Sequence, residues 1–197
     1  PADRCYAQTS PLDTGCLFKL AGRISGDGSH NAMFYPPAKP MQAPAGYDLY
    51  TEVRKHDALL AYPYQSIRPF IRMLLRAAAD PDVVSIKMTL YRMASDSQIV
   101  NALIAAAENG KEVVAMVELR ARFDEQNNID WSKQLEDAGC TVFYGFDDYK
   151  VHSKLTLITS RKDGKYKYLT QIGTGNYNEK TSELYTDLSF ITTRQEI

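Results

Sequence analysis

The sequence predicts an α/β fold: a mixed sheet with a parallel β-α-β-α-β core, extended by antiparallel strands, with helices on both faces. Three observations lead there. Between residues 66 and 145, short runs rich in Val, Ile and Met alternate with amphipathic stretches, the pattern of parallel strands joined by right-handed crossovers. The alternation then stops, and two strand-like runs meet at "RKDGK", whose Asp163-Gly164 signals a hairpin. Finally, 44% of the 197 residues are apolar, enough for one sizeable core.

In chain order, residues 1–46 are rich in Gly, Pro, Ser and Asn and carry one short apolar run, Cys16 to Leu20. They are expected to be irregular, with at most one strand. "SIRPFIRMLLRAAAD" (66–80) has apolar residues at helical spacing, Ser66 as N-cap and Pro69 in the first turn. "DVVSIKMTLY" reads as a strand, "DSQIVNALIAAAENG" as a helix stopped by Gly110, and "KEVVAMVEL" as a second strand. "NNIDWSKQLEDAG" gives a further helix and "CTVFYG" a third strand. The hairpin "HSKLTLITS"/"KYKYLTQI" and a last strand, "LYTDLSFIT", complete the sheet. In "YKVHSKLTLIT", strand alternation predicts that His152, Lys154 and Thr156 share one face while Val151, Leu155 and Leu157 enter a core.

A formal net charge of -1 gives no whole-molecule argument for nucleic acid or any other polyanion, so a basic site must be local. Cys5, Cys16 and Cys140 form neither a disulfide framework nor a zinc pattern, which suits a reducing, cytoplasmic setting. No run of 18 apolar residues and no signal-peptide pattern is present.

Strand direction gathers the chemistry-bearing residues. Arg92 follows the first parallel strand and Arg122 the second, at the edge where open α/β sheets bind ligands. His152 and Lys154 begin the returning strand at that edge. Gly173, Thr174 and Asn176 of "GTGN" end the next, and Tyr185 and Asp187 begin the last. Guanidinium groups suit phosphate oxygens, a glycine-rich turn admits an anion to backbone N–H groups, and cations keep a nearby imidazole neutral and nucleophilic. Phosphoryl transfer through a phosphohistidine fits this set. Singly, each residue also has a structural reading: the arginines as surface charges, "GTGNYN" as a turn, Tyr185 as core, "ELRARFDEQNN" as a salt-bridged loop. Their convergence favours function.

The H-x-K of His152 and Lys154, with "GTGN" following, resembles half of a phospholipase D-type site, although Thr159 replaces the usual acidic residue. "IKMTLYR", "VELRARFDEQNNIDWSKQLEDAGC", "KVHSK" and "IGTGNYNEKTSELYTDLSF", in that order, resemble the first family of polyphosphate kinases. The resemblance implies a phospholipase D-like catalytic domain over residues 47–197 and a remnant of a preceding middle domain over 1–46. It implies reversible, Mg2+-dependent transfer of the terminal phosphate of ATP to inorganic polyphosphate, with His152 as the phosphorylated residue. Arg92 and Arg122 fall on the family's magnesium and phosphate positions; lacking a lone pair, they are read as phosphate ligands beside the ion. Tyr185 falls on the nucleotide-contacting tyrosine. Lys154, Asp187, Gly173, Thr174 and Asn176 are added from their location.

The resemblance further implies partners: ATP or ADP, inorganic polyphosphate, and the N-terminal, middle and second catalytic domains of a longer chain, homo-oligomeric at full length. The setting implied is cytoplasmic or peripheral at the inner face of the membrane, and the isolated piece is expected to be inactive. Two rivals remain at this point, a phosphodiesterase attacking through His152 and a non-catalytic polyanion-binding module.

Overall fold

The structure, a computed structural model, describes residues 3, 7, 10–11, 13–26, 39–121 and 124–197. The chain divides into two units, Pro1–Ala38 and Lys39–Ile197. In the first, helix α1 spans Cys16–Gly26. The apolar run that suggested a strand is therefore helical, and the reason is legible: Leu17, Leu20, Ala21 and Ile24 recur at helical spacing.

The second unit runs α2 (Leu49–Glu52), β1 (Ala58–Tyr62), α3 (Arg68–Ala79), β2 (Val83–Leu90), α4 (Gln98–Glu108), β3 (Glu112–Val117), α5 (Glu125–Asp137), β4 (Thr141–Tyr144), β5 (Lys154–Lys162), β6 (Lys165–Gly173), a 3-10 turn (Thr181–Glu183) and β7 (Asp187–Thr192). The seven strands lie in the order β1-β7-β6-β5-β2-β3-β4. Strands β2, β3 and β4 are parallel and the remaining pairings antiparallel, so the mixed sheet is as predicted. Asp163 and Gly164, at φ 51° and 75°, make the two-residue turn of the β5–β6 hairpin, where both central positions need positive φ. Strand β1 gave no signal. Its "ALLAY" lacks alternation, and its partner β7 lies some 130 residues further along the chain.

Local chemistry fixes the helix ends. Ser66 Oγ accepts from Arg68 N at 3.2 Å, and Pro69 occupies the first turn of α3. At α4, Ser97 Oγ accepts from Val100 N at 3.3 Å, while Glu179 Oε1 accepts from Ile99 N at 3.2 Å, a carboxylate placed where the helix dipole favours one.

Both crossovers step the same way across the sheet, β2 to β3 to β4, so α4 and α5 fall on one face. Helix α3 packs against α4. Among the described residues the predicted helix cover is thus realised on a single face. Its core is Phe70, Leu74, Ile86, Leu90, Ile99, Leu103, Leu135 and Ile158, all fully buried.

The other face carries an apolar row. Leu59, Phe190, Ile172 and Leu155 are successive cross-strand neighbours, and Thr89, Met116 and Phe143 continue the line. Along it Leu155 is 40% and Leu59 58% exposed. This reverses one expectation. Thr156 is buried toward the helices with Ile158, and Leu155 looks to the open face, because the larger core lies on the side where the helices pack.

Candidate functional site at the sheet edge

The site begins with the backbone that follows β2. Three α5 side chains hold it: Asn128 Nδ2 donates to Tyr91 O at 2.8 Å, Asn127 Nδ2 to Met93 O at 2.9 Å, and Trp131 Nε1 to Ala94 O at 2.8 Å. A loop, which would otherwise be mobile, is thereby fixed to a helix. Arg92 rides on it, with Nε 3.0 Å from Asp124 Oδ2 just before α5.

The ring of Tyr91 is where the predicted residues meet. His152 approaches it edge-on, with centroids 4.9 Å apart and planes at 74°. Lys154 Nζ stands 5.2 Å from the ring centre and the Arg92 guanidinium carbon 5.8 Å, both within cation–π range. Lys154 is only 4% exposed, and its ammonium donates to the carbonyl oxygen of His152. Burial lowers the Lys154 pKa, against the opposing pull of Asp187. Burial also lowers the His152 pKa, and the positive charges of Lys154, Lys150 and Arg92 lower it further. Its imidazole is therefore held neutral, as expected from a cationic setting.

The "GTGN" turn wraps a carboxylate. Thr174 Oγ1 donates to Asp187 Oδ1 at 2.8 Å, and Thr174 N donates to Leu188 O at 3.0 Å. A Cβ on Gly175 would lie 2.5 Å from the Asp187 carboxyl carbon, so a larger residue there would displace the Asp187 side chain. Thr174 is thus committed to β7 and Asp187. Gly173 pairs with Lys154 and Ser189 within the sheet. Asn176 has its Oδ1 buried and without a hydrogen-bond partner. Beneath the turn, buried Tyr177 accepts from Thr156 Oγ1 at 2.8 Å and donates to Gln171 Oε1. Tyr185 stands 62% exposed, two residues before Asp187. Arg122 lies outside the described residues.

Sequence reasoning missed Tyr91, Asp124, Glu118 and Asn128. Tyr91 adjoins Arg92 at a strand end, and "DEQNN" reads as a helix start; those were the available signals.

A second charged region lies at the opposite end of the sheet. A groove of about 400 Å³ there is lined by Tyr50, Arg54, Asp82, Lys162, Tyr166 and Tyr168 among others. Two of its cations meet carboxylates, Arg54 with Asp80 at 3.6 Å and Lys162 with Asp82 at 3.4 Å. None of the predicted site residues lines it.

Residues 48–197 match the family described as polyphosphate kinase C-terminal domain 1. The chain belongs to the polyphosphate kinase family. A polyphosphate kinase of Bacillus anthracis is 45% identical over 194 residues, 97% of this chain and 27% of that protein. One from an Exiguobacterium species is 48% identical over 190 residues, 95% of this chain and 26% of that protein. The chain thus spans about a quarter of these family members. The crystal structure of polyphosphate kinase from Porphyromonas gingivalis superposes with a TM-score of 0.69 at 35% identity, covering 84% of this chain and 28% of that one. The phospholipase D family member Nuc from Salmonella typhimurium, at 18% identity and TM-score 0.52 over 69% of this chain and 82% of that one, shares the fold.

Proposed function

We propose that this chain supplies the phosphohistidine half-site of a polyphosphate kinase. The observation that carries the reading is the convergence of His152, Lys154 and Arg92 on one tyrosine ring, with the imidazole held neutral. In this reading a ring nitrogen of His152 attacks the terminal phosphorus of ATP. An N–P bond forms, the bond to the bridging oxygen breaks, and ADP leaves. The terminal oxygen of a polyphosphate chain then attacks the same phosphorus, releasing the imidazole; each step runs in reverse under the opposite gradient. Lys154 and Arg92 stabilise charge on the transferred group's oxygens, where transition-state charge spreads. Arg122 is assigned the same role from its place in the sequence. Tyr185 offers an exposed ring to the nucleotide base, and Asn176 its side chain to a phosphate.

Among the described residues, magnesium would find no cage of protein ligands: no group of three His, Cys, Asp or Glu could ligate a metal, and guanidinium has no lone pair. In this reading the ion would be carried on the phosphates of the nucleotide, as Mg2+ commonly is, with Arg92 and Arg122 beside them as phosphate ligands. Among the described residues, no helix is long and apolar enough to cross a membrane. We place the enzyme where ATP is available, in the cytoplasm.

The test is retention of 32P from [γ-32P]ATP on the full-length protein. The bond should be stable to base and labile to acid, and absent from His152→Ala. A label that survives in His152→Ala would overturn the reading.

A further inference from the structure

We propose that Glu118 is a positioning residue for His152, an inference that rests on the reading of His152 as the phosphorylated group. Glu118 follows β3, is 3% exposed, and touches no substrate-facing residue through its carboxylate. Its two oxygens do separate work. Oε1 accepts from the backbone N of Arg120 at 2.8 Å, and Oε2 accepts from the backbone N of Val151 at 3.0 Å. Val151 is the residue before His152, so one carboxylate clamps the loop after β3 to the segment that delivers the nucleophile.

The surroundings reinforce the clamp from both sides. Arg120 Nη1 donates to Asp147 O at 3.0 Å, and Lys150 Nζ donates to Arg120 O at 3.0 Å. The Glu118 backbone is fixed as well: its N donates to Leu90 O at 2.9 Å, and its carbonyl accepts from Asn128 Nδ2 at 2.9 Å. The same Asn128 amide group holds Tyr91 O. Two side chains, Glu118 and Asn128, thus register three strand ends against one another: β2 through Tyr91, β3 through Glu118 itself, and the approach to β5 through Val151.

The chemistry of the acceptor makes the proposal sharp. A carboxylate presents two acceptor oxygens, whereas an amide of the same shape presents one acceptor and one donor. In Glu118→Gln an NH2 would face one of the two backbone N–H groups, and a buried hydrogen bond to a charged acceptor would be lost. The segment 145–151 would then loosen, moving His152 away from Tyr91, Lys154 and Arg92.

The experiment compares wild type and Glu118→Gln by two readouts. The first is the His152 imidazole titration followed by NMR on the chain, which requires no activity. Its midpoint should rise toward the ordinary histidine value in the variant, because the burial and the cations that depress it are left behind. The second is the rate of 32P transfer from ATP in the full-length protein. It should fall by roughly 10- to 100-fold, the scale of an ångström-size misplacement, with nucleotide affinity unchanged. A folded Glu118→Gln with the wild-type midpoint overturns the proposal, as does a rate loss explained by weaker nucleotide binding. Should Glu118→Gln fail to fold, Arg120→Ala removes the exposed outer bond to Asp147; a midpoint raised above the wild-type value supports the clamp, and an unchanged one overturns it. Absence of label in the wild type would break the phosphohistidine reading and leave the titration result standing on its own.

Discussion

The two ends of the β5–β6 hairpin carry the same residue types, and their lysines meet different acceptors. At the turn end, Arg54 and Lys162 are matched with Asp80 and Asp82. At the rim, Lys154 and Lys150 donate to the backbone carbonyls of His152 and Arg120, Lys154 also faces an aromatic ring, and Arg92 both faces that ring and pairs with Asp124. A carbonyl or a ring satisfies a cation without cancelling its charge. At the turn end Arg54 and Lys162 are thus neutralised although Arg161 lies over the Tyr166 ring; at the rim Arg92 is paired with Asp124, while Lys154 and Lys150 keep their charge beside the imidazole. Backbone carbonyls leave the charge of Lys150 and Lys154 uncancelled where carboxylates would have cancelled it, and the proposed function puts the phosphate chain at that end.

The largest expected effect comes from Lys154. Replacing it with Met keeps an unbranched side chain against Tyr91 and removes the charge. Transfer of 32P to His152 should slow by roughly 100- to 1,000-fold, the usual cost of losing one oriented transition-state donor. A loss under tenfold in single-turnover kinetics would place Lys154 among the structural residues. Next, Arg92→Ala should weaken polyphosphate binding by about tenfold, equivalent to about 1.4 kcal/mol. Arg54→Ala and Lys162→Ala should change it by less than about twofold, as expected for exposed pairs at a neutralised end. Titration at two salt concentrations checks both, and equal losses at the two ends would break the comparison.

A smaller effect tests the support beneath the rim. Tyr177→Phe removes a buried hydroxyl that both accepts and donates, leaving Gln171 and Thr156 short of a partner. It should cost about 1–3 kcal/mol in denaturant unfolding. The smallest effect concerns pH. Since burial and three neighbouring cations lower the His152 pKa, its reactive neutral form should persist below about pH 6.5, the ordinary value. Lys150→Ala should move the midpoint of the labelling profile upward. The folded value lies below the unfolded one, so the unfolded chain binds the proton first as pH falls through that window. This group's contribution to stability is then lost on acidification. A midpoint left unchanged in Lys150→Ala would show that Lys150 is electrostatically remote from the ring.

Much of this was legible in the residues. Period and turn chemistry located β2 to β7 and α3 to α5, and strand direction brought Arg92, His152, Lys154 and the "GTGN" turn to one edge. What stayed hidden depended on contacts distant in sequence. Strand β1 has no pattern of its own and exists through β7. Glu118 and Asn128 look like members of a charged loop until Val151 and Tyr91 are placed beside them. The parity of β5 misled because alternation separates two faces without saying which one the helices cover.

Glu179 gives the "GTGN" turn a built-in reporter. It lies three residues beyond Asn176 and caps α4 by accepting from Ile99 N and Ser97 Oγ. Any opening of that segment must release the first turn of α4, exposing amides otherwise shielded in the core. Hydrogen exchange at Ile99 should therefore track motion of the "GTGN" segment, and a polyphosphate chain that stiffens the turn should slow that exchange at an amide it never touches.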